Sequence, residues 1–169
     1  MASCPRPVPS SLPWRAGLRE LLPGSETWLM ERVLAYAKAQ GYAAYTSTLV
    51  EPWRVSIAGL TAAILGALDS RDGIPWEYPL ECEAPSDPIA VFADIEATRH
   101  RARGVTLAMF WGLLKYYERA YLDCIEAGFP KGEGAVCAAF FIAACFARME
   151  YVFVLRWAEL SGQEQTDAL

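Results

Sequence analysis

The sequence predicts an all-α domain, globin-like or a helical bundle, of about six helices. Three observations carry that expectation. Apolar residues recur at three- and four-residue steps through several long segments, and no segment shows the two-residue alternation of a half-buried strand. Proline and glycine cluster between those segments rather than within them. The stretch Ala135 to Ala147 is thirteen residues without a charge, followed after Arg148 and Glu150 by Tyr151 to Leu155. A helix so apolar around its circumference must be covered by its neighbours, which places it centrally.

Taken in order, residues 1–13 are rich in proline and serine and read as a poorly ordered lead-in. A first helix spans about Trp14 to Leu22 and is stopped by Pro23-Gly24. Ser25 suits the N-cap of a second helix, Glu26 to Gln40, which Gly41 ends. Residues 42–50 form a connection. Pro52 fits the first turn of a third helix reaching Leu68. The segment 74–85 carries Pro75, Pro79 and Pro85 around Trp76 and Tyr78, a density that forbids a helix and predicts a long loop. Ser86-Asp87-Pro88 combines capping side chains with proline at the first helical position, so a fourth helix begins there and runs to about Arg103. Gly104 breaks or bends the chain before an aromatic-rich fifth helix that reaches Gly128. The last helix is expected from Ala135 to Leu160, with a polar tail after it. The domain therefore occupies 14–161, and 162–169 reads as a linker toward an output domain.

Composition narrows the function classes. At 169 residues, 54% of them apolar, the chain can bury one substantial core. The net charge of −5 argues against nucleic-acid binding, which needs an excess of Lys and Arg to displace counterions. The five cysteines, Cys4, Cys82, Cys124, Cys137 and Cys145, are odd in number and lack metal-site spacing, so they are expected to be reduced in a cytoplasmic protein. No signal peptide is read at the N-terminus. The last helix is interrupted by Arg148 and Glu150 short of the ~20 apolar residues a membrane span requires, so a buried core helix is expected instead.

No nucleophile elbow, Gly-rich phosphate loop or HExxH motif is present, and no carboxylate pair stands out for acid–base work. The domain is expected not to be an enzyme. The candidate ligand pocket is aromatic: Trp53 and Arg54 at the start of the third helix, Trp111, Lys115, Tyr117 and Tyr121 on the fifth, and Glu150 on the last. Flat side chains with a cation suit a small apolar or aromatic ligand carrying an acidic group. Charges within the apolar last helix need partners; Lys115 or Arg119 is expected to meet Glu150, and Glu118 to meet Arg148. His100, the only histidine, is the one candidate haem ligand, but Arg99, Arg101 and Arg103 beside it suggest a solvated helix face. No metal site is expected, and no tightly bound cofactor.

Three segments together resemble a known family: Tyr45 to Gly59 (YTSTLVEPWRVSIAG), Arg99 to Asp123 (RHRARGVTLAMFWGLLKYYERAYLD), and Phe146 to Glu150 with Arg156-Trp157. They are similar to the N-terminal helical sensory region of bacterial histidine kinases in which such a domain precedes a PAS domain and the kinase core. A more distant similarity is to the N-terminal domains of RsbR-type stressosome proteins, which look like globins without haem. The resemblance covers about residues 25–160. It implies a cytoplasmic, homodimeric signal-input module with a C-terminal PAS or kinase output domain; a full-length protein would then be a histidine kinase although this domain is not catalytic. Two alternatives stand beside it: a haem or linear-tetrapyrrole carrier using His100 or Cys124, and a dimerisation scaffold with no ligand.

Overall fold

The structure is a computed structural model that describes residues 4–9, 12–39, 41, 50–70 and 87–167, the side chains of 50, 51 and 163–167 excepted. The expected connection at 42–49 and the proline-rich loop at 74–85 lie outside the described residues. What is described is helical, with no strand: α1 (Trp14–Leu21), a 3-10 turn (Pro23–Ser25), α2 (Glu26–Ala39), α3 (Val50–Asp69), α4 (Pro88–Ala102), α5 (Leu107–Gly128) and α6 (Glu133–Asp167). The fold class is all-α.

The boundaries follow from local chemistry. Asp87 caps α4, its Oδ1 accepting from the N–H groups of Ile89 at 3.0 Å and Ala90 at 3.2 Å, and Pro88 opens the helix without an N–H to orphan. Gly104 adopts φ +76°, a left-handed conformation that residues with a Cβ avoid, and it breaks the helix rather than bending it. The fifth helix therefore begins at Leu107, where the Thr106 hydroxyl accepts from Met109 N–H. Ser25 does not cap α2 as its sequence position suggests. It sits at the end of the 3-10 turn, and its hydroxyl donates backward to the Leu21 carbonyl at 2.7 Å. The last helix is longer than expected at both ends, because Gly132 at φ +151° turns the chain directly into it and no glycine or proline stops it after Leu160 except Gly162, which the helix absorbs. The lead-in is anchored: Val8 is buried and donates its N–H to the Gly128 carbonyl at 2.7 Å.

Five helices form a closed ring in the order α2, α3, α4, α6, α5, each packed on the next, with α1 lying across α6 and the end of α3. The ring encloses Tyr121 of α5. That ring is fully buried, meets Phe146 of α6 edge-on at 5.8 Å, and pairs its hydroxyl with Thr61 of α3 at 2.7 Å. Burial pushes the Tyr121 phenol well above its ordinary pKa, so it stays neutral. Two glycines leave room for a neighbouring helix to approach closely. A Cβ on Gly128 would stand inside the methyls of Leu21, and one on Gly59 would meet the Phe92 ring at 3.1 Å. The second contact draws α4 onto α3.

Ion pairs tie neighbouring helices of the ring together. Asp123 is buried between α2 and α5, where it accepts from Arg32 Nε at 2.9 Å and from the Tyr36 hydroxyl and pairs with Arg119 Nε at 2.9 Å. Arg148 of α6 reaches Asp87 at 2.8 Å with both side chains buried. Arg156 pairs with Asp94 of α4 at 3.0 Å and with Glu159 at 3.1 Å. The expected Glu118–Arg148 pair does not form, because the two face different neighbours: Glu118 takes Lys115 on its own helix at 2.9 Å, whereas Arg148 is turned into the α4 cap.

The apolar last helix is central but not covered all round. Its buried side carries Ala138, Ile142, Cys145, Phe146, Met149, Val152 and Phe153, while Val136, Phe140 and Val154 are exposed. It is the one helix among the described residues long and apolar enough to cross a membrane, and half of its most apolar window is buried within the ring.

Candidate functional site

A cleft of about 40 Å³ opens where α3, α4, α5 and α6 meet. Each helix contributes side chains at helical repeat distance, so one face of each turns toward the same space. From α3 come Ser56 and Leu60, and from α4 Phe92, Glu96 and His100. From α5 come Phe110, Leu113, Leu114 and Tyr117, and from α6 Met149 and Phe153. Seven of these eleven are purely apolar. The four polar groups belong to α3, α4 and α5, whereas α6 offers only apolar contact.

His100 is the most informative of the four. Its Nδ1 lies 2.8 Å from the Glu96 carbonyl oxygen one turn back. A carbonyl only accepts, so Nδ1 carries the proton and the neutral ring keeps its lone pair on Nε2. Its face packs on Phe110 with centroids 4.5 Å apart, and Phe110 in turn meets Phe153 edge-on at 4.5 Å and Trp157 at 5.5 Å. Burial lowers the His100 pKa. The Glu96 carbonyl and carboxylate pull it back up in part, while Arg103 and Arg99 lower it further. The ring is therefore neutral near pH 7. Glu96 is held in turn by Arg99, Nη1 to Oε1 at 3.1 Å.

Tyr117 forms the opposite wall. Burial raises its pKa far out of the titrating range, and the nearby Ser56 hydroxyl pulls it back only in part. Trp53 backs it from α3, stacked at 6.2 Å with planes inclined by 14°.

The sequence candidates divide accordingly. Tyr117 lines the cleft and Trp53 supports it from behind, but Tyr121 belongs to the sealed centre of the ring. Trp111 is half-buried and Arg54 exposed, both away from the lining. Lys115 and Glu150 do meet, as expected, bridging α5 and α6 with Glu118 as a second partner, yet the group lies on the outer surface. Burial alone lowers the Lys115 pKa; the hydrogen bonds to Glu150 and Glu118 outweigh it and raise the net value. None of the expected cations reaches the cleft, so the anticipated complement to an acidic ligand is missing from its lining. His100 is not on a solvated face: its ring faces Phe110, and of the arginines beside it Arg99 and Arg103 are exposed while Arg101 lies half-buried over the Trp157 ring at 5.8 Å.

Among the described residues no group of three or more His, Cys, Asp or Glu is gathered to hold a metal. The thiols near the core are inert in character: burial pushes Cys124 up to about 11 and Cys145 further. A tetrapyrrole, with dozens of heavy atoms, far exceeds the cleft as it stands. Set against known proteins, the chain matches no protein-family model, no curated protein and no solved structure.

Proposed function

We propose that the domain is a signal-input module in which a small molecule held between α3, α4, α5 and α6 biases the packing of α6. The observation that carries this is the composition of the cleft: a mostly apolar lining with four convergent polar groups, shared by four helices, one of which continues past the core. Clefts of that make-up between helices are the usual form of a small-molecule site. Met149 and Phe153 feel an occupant directly, and α6 runs on through Trp157 to Asp167. A ligand that favours one of two packings shifts the population of α6 positions by its difference in affinity for them.

The resemblance of residues 45–59, 99–123 and 146–157 to helical input domains of histidine kinases supports the same role, with a cytoplasmic location and a PAS or kinase output. No group in the cleft is arranged as a nucleophile with its base, which favours sensing over catalysis. A homodimer is part of the proposal, supported by the exposed Val136, Phe140 and Val154 along one side of α6. The direct test fills the cleft. Small apolar compounds should slow amide exchange in α4, α5 and α6 of the native protein and leave Leu113→Trp unaffected. Equal protection in both proteins, or none in either, would refute the assignment.

A further inference from the structure

Resting on the cleft as the ligand site, we propose that its ligand is an uncharged molecule of about phenol size, apolar except for one hydroxyl that donates to His100. Three properties of the cleft lead there.

The first is volume. A water needs on the order of 10–15 Å³ on this measure, so about 40 Å³ takes roughly three waters or the leading edge of one small ring, whose remainder stays in the open mouth of the cleft.

The second is the direction of hydrogen bonding. His100 spends its only N–H on the Glu96 carbonyl at 2.8 Å, so the opposite edge of the ring presents the Nε2 lone pair. The Glu96 carboxylate also only accepts. The Ser56 and Tyr117 hydroxyls each accept as well as donate, so they add no surplus of donors. Acceptors thus predominate at the polar end, and a ligand that brings a donor is the one they satisfy.

The third is charge. A carboxylate ligand would meet Glu96, whose side chain is only 12% exposed, with no cation in the lining to offset it. An ammonium ligand finds that same carboxylate already paired with Arg99 at 3.1 Å. Neither charge is compensated in the cleft, so the neutral form is preferred. Phe92, Phe110 and Phe153 then supply flat apolar walls for an aromatic or short alkyl body.

The chain has one histidine, so its imidazole signals in a proton–carbon spectrum belong to His100 alone. The full chain would be titrated at pH 8 with phenol, benzene, benzoate and benzylammonium while those signals are followed. Phenol is expected to shift them saturably and to bind about tenfold tighter than benzene, the factor one well-made neutral hydrogen bond provides. In His100→Phe, which keeps the aromatic wall and removes the acceptor, that advantage should vanish. Benzene binding as tightly as phenol to the native chain would overturn the hydroxyl assignment while leaving the cleft as a ligand site. Benzoate or benzylammonium binding tighter than phenol would overturn the neutral class. No binding by any of the four would overturn both the ligand class and the cleft assignment beneath it.

Discussion

His100 on α4 and Phe110 on α5 hold their rings 4.5 Å apart across the turn made at Gly104, and Phe110 passes the contact to Phe153 on α6. Three helices are thus joined through two aromatic contacts. Because interiors are close-packed, a displaced ring at one end of such a stack moves the next. The cleft lies along this stack, the route by which the proposed ligand would act on α6.

Acid should weaken the fold through His100. Burial lowers its folded pKa below the unfolded value of about 6.5, so the unfolded chain takes up the proton first. This contribution is complete above about pH 6.5 and is lost as pH falls from there toward the folded pKa. Glu96, Arg99 and Arg103 are the charged groups that set it. Urea midpoints measured from pH 8 to 5.5 should fall for the native chain and stay nearly level for His100→Phe. Parallel curves would contradict the burial of a neutral imidazole.

Asp87 serves two helices at once, with Oδ1 capping α4 and Oδ2 accepting from Arg148 of α6. Asp87→Ala removes a cap and takes the Asp87 carboxylate from a buried guanidinium, so a loss of about 3–5 kcal/mol is expected. Asp87→Ser with Arg148→Met keeps a capping oxygen and removes the guanidinium as well, and should recover most of that loss. Chemical denaturation of both variants decides it. Equal destabilisation would mean that neither the lost cap nor the guanidinium left behind accounts for the loss.

Gly128 lies where α5 crosses α1, and a methyl there would overlap the Leu21 side chain. Gly128→Ala should cost about 1–3 kcal/mol, the usual range for overpacking a filled core, even though alanine favours the helix. Gly128→Ala combined with Leu21→Ala should cost less than the sum of the two single changes. Additive losses in a double-mutant cycle would show that the two do not touch in solution.

Lys115→Met tests whether the α5–α6 bridge matters. Lys115 is about half exposed, so the loss should stay under about 1 kcal/mol, and phenol affinity should not change because the pair lies outside the cleft. A several-fold change in affinity would place Lys115 in the ligand site after all.

The helices were legible because their signals are local. The Asp87-Pro88 start, the Gly104 break and the stripe through Phe110, Leu114, Tyr117 and Tyr121 can all be read without knowing the fold. Ser25 misled because a 3-10 turn after Pro23-Gly24 redirects its hydroxyl, a geometry that capping preference does not encode. The cleft was legible only in Tyr117 and, less directly, His100. Its other walls are ordinary core residues whose exposure to a cavity depends on which helices meet in the ring. One signal was available: Phe92, Glu96 and His100 stand at four-residue steps on α4, an aromatic, an acid and an imidazole on one face. The pairing of Arg148 with Asp87 rather than Glu118 spans 61 residues and depends on helix order, which periodicity does not contain.

The most direct test of the account is the distance between α4 and α6 with the cleft empty and filled. Spin labels carried on an unnatural amino acid at the exposed positions Ile95 and Ala158 would report it. Saturating phenol, confirmed by the His100 signal, should shift the distance distribution by about 1–2 Å, the scale of a helix displacement between two packings. Superimposable distributions with phenol bound would leave a binding site without a switch and contradict the account.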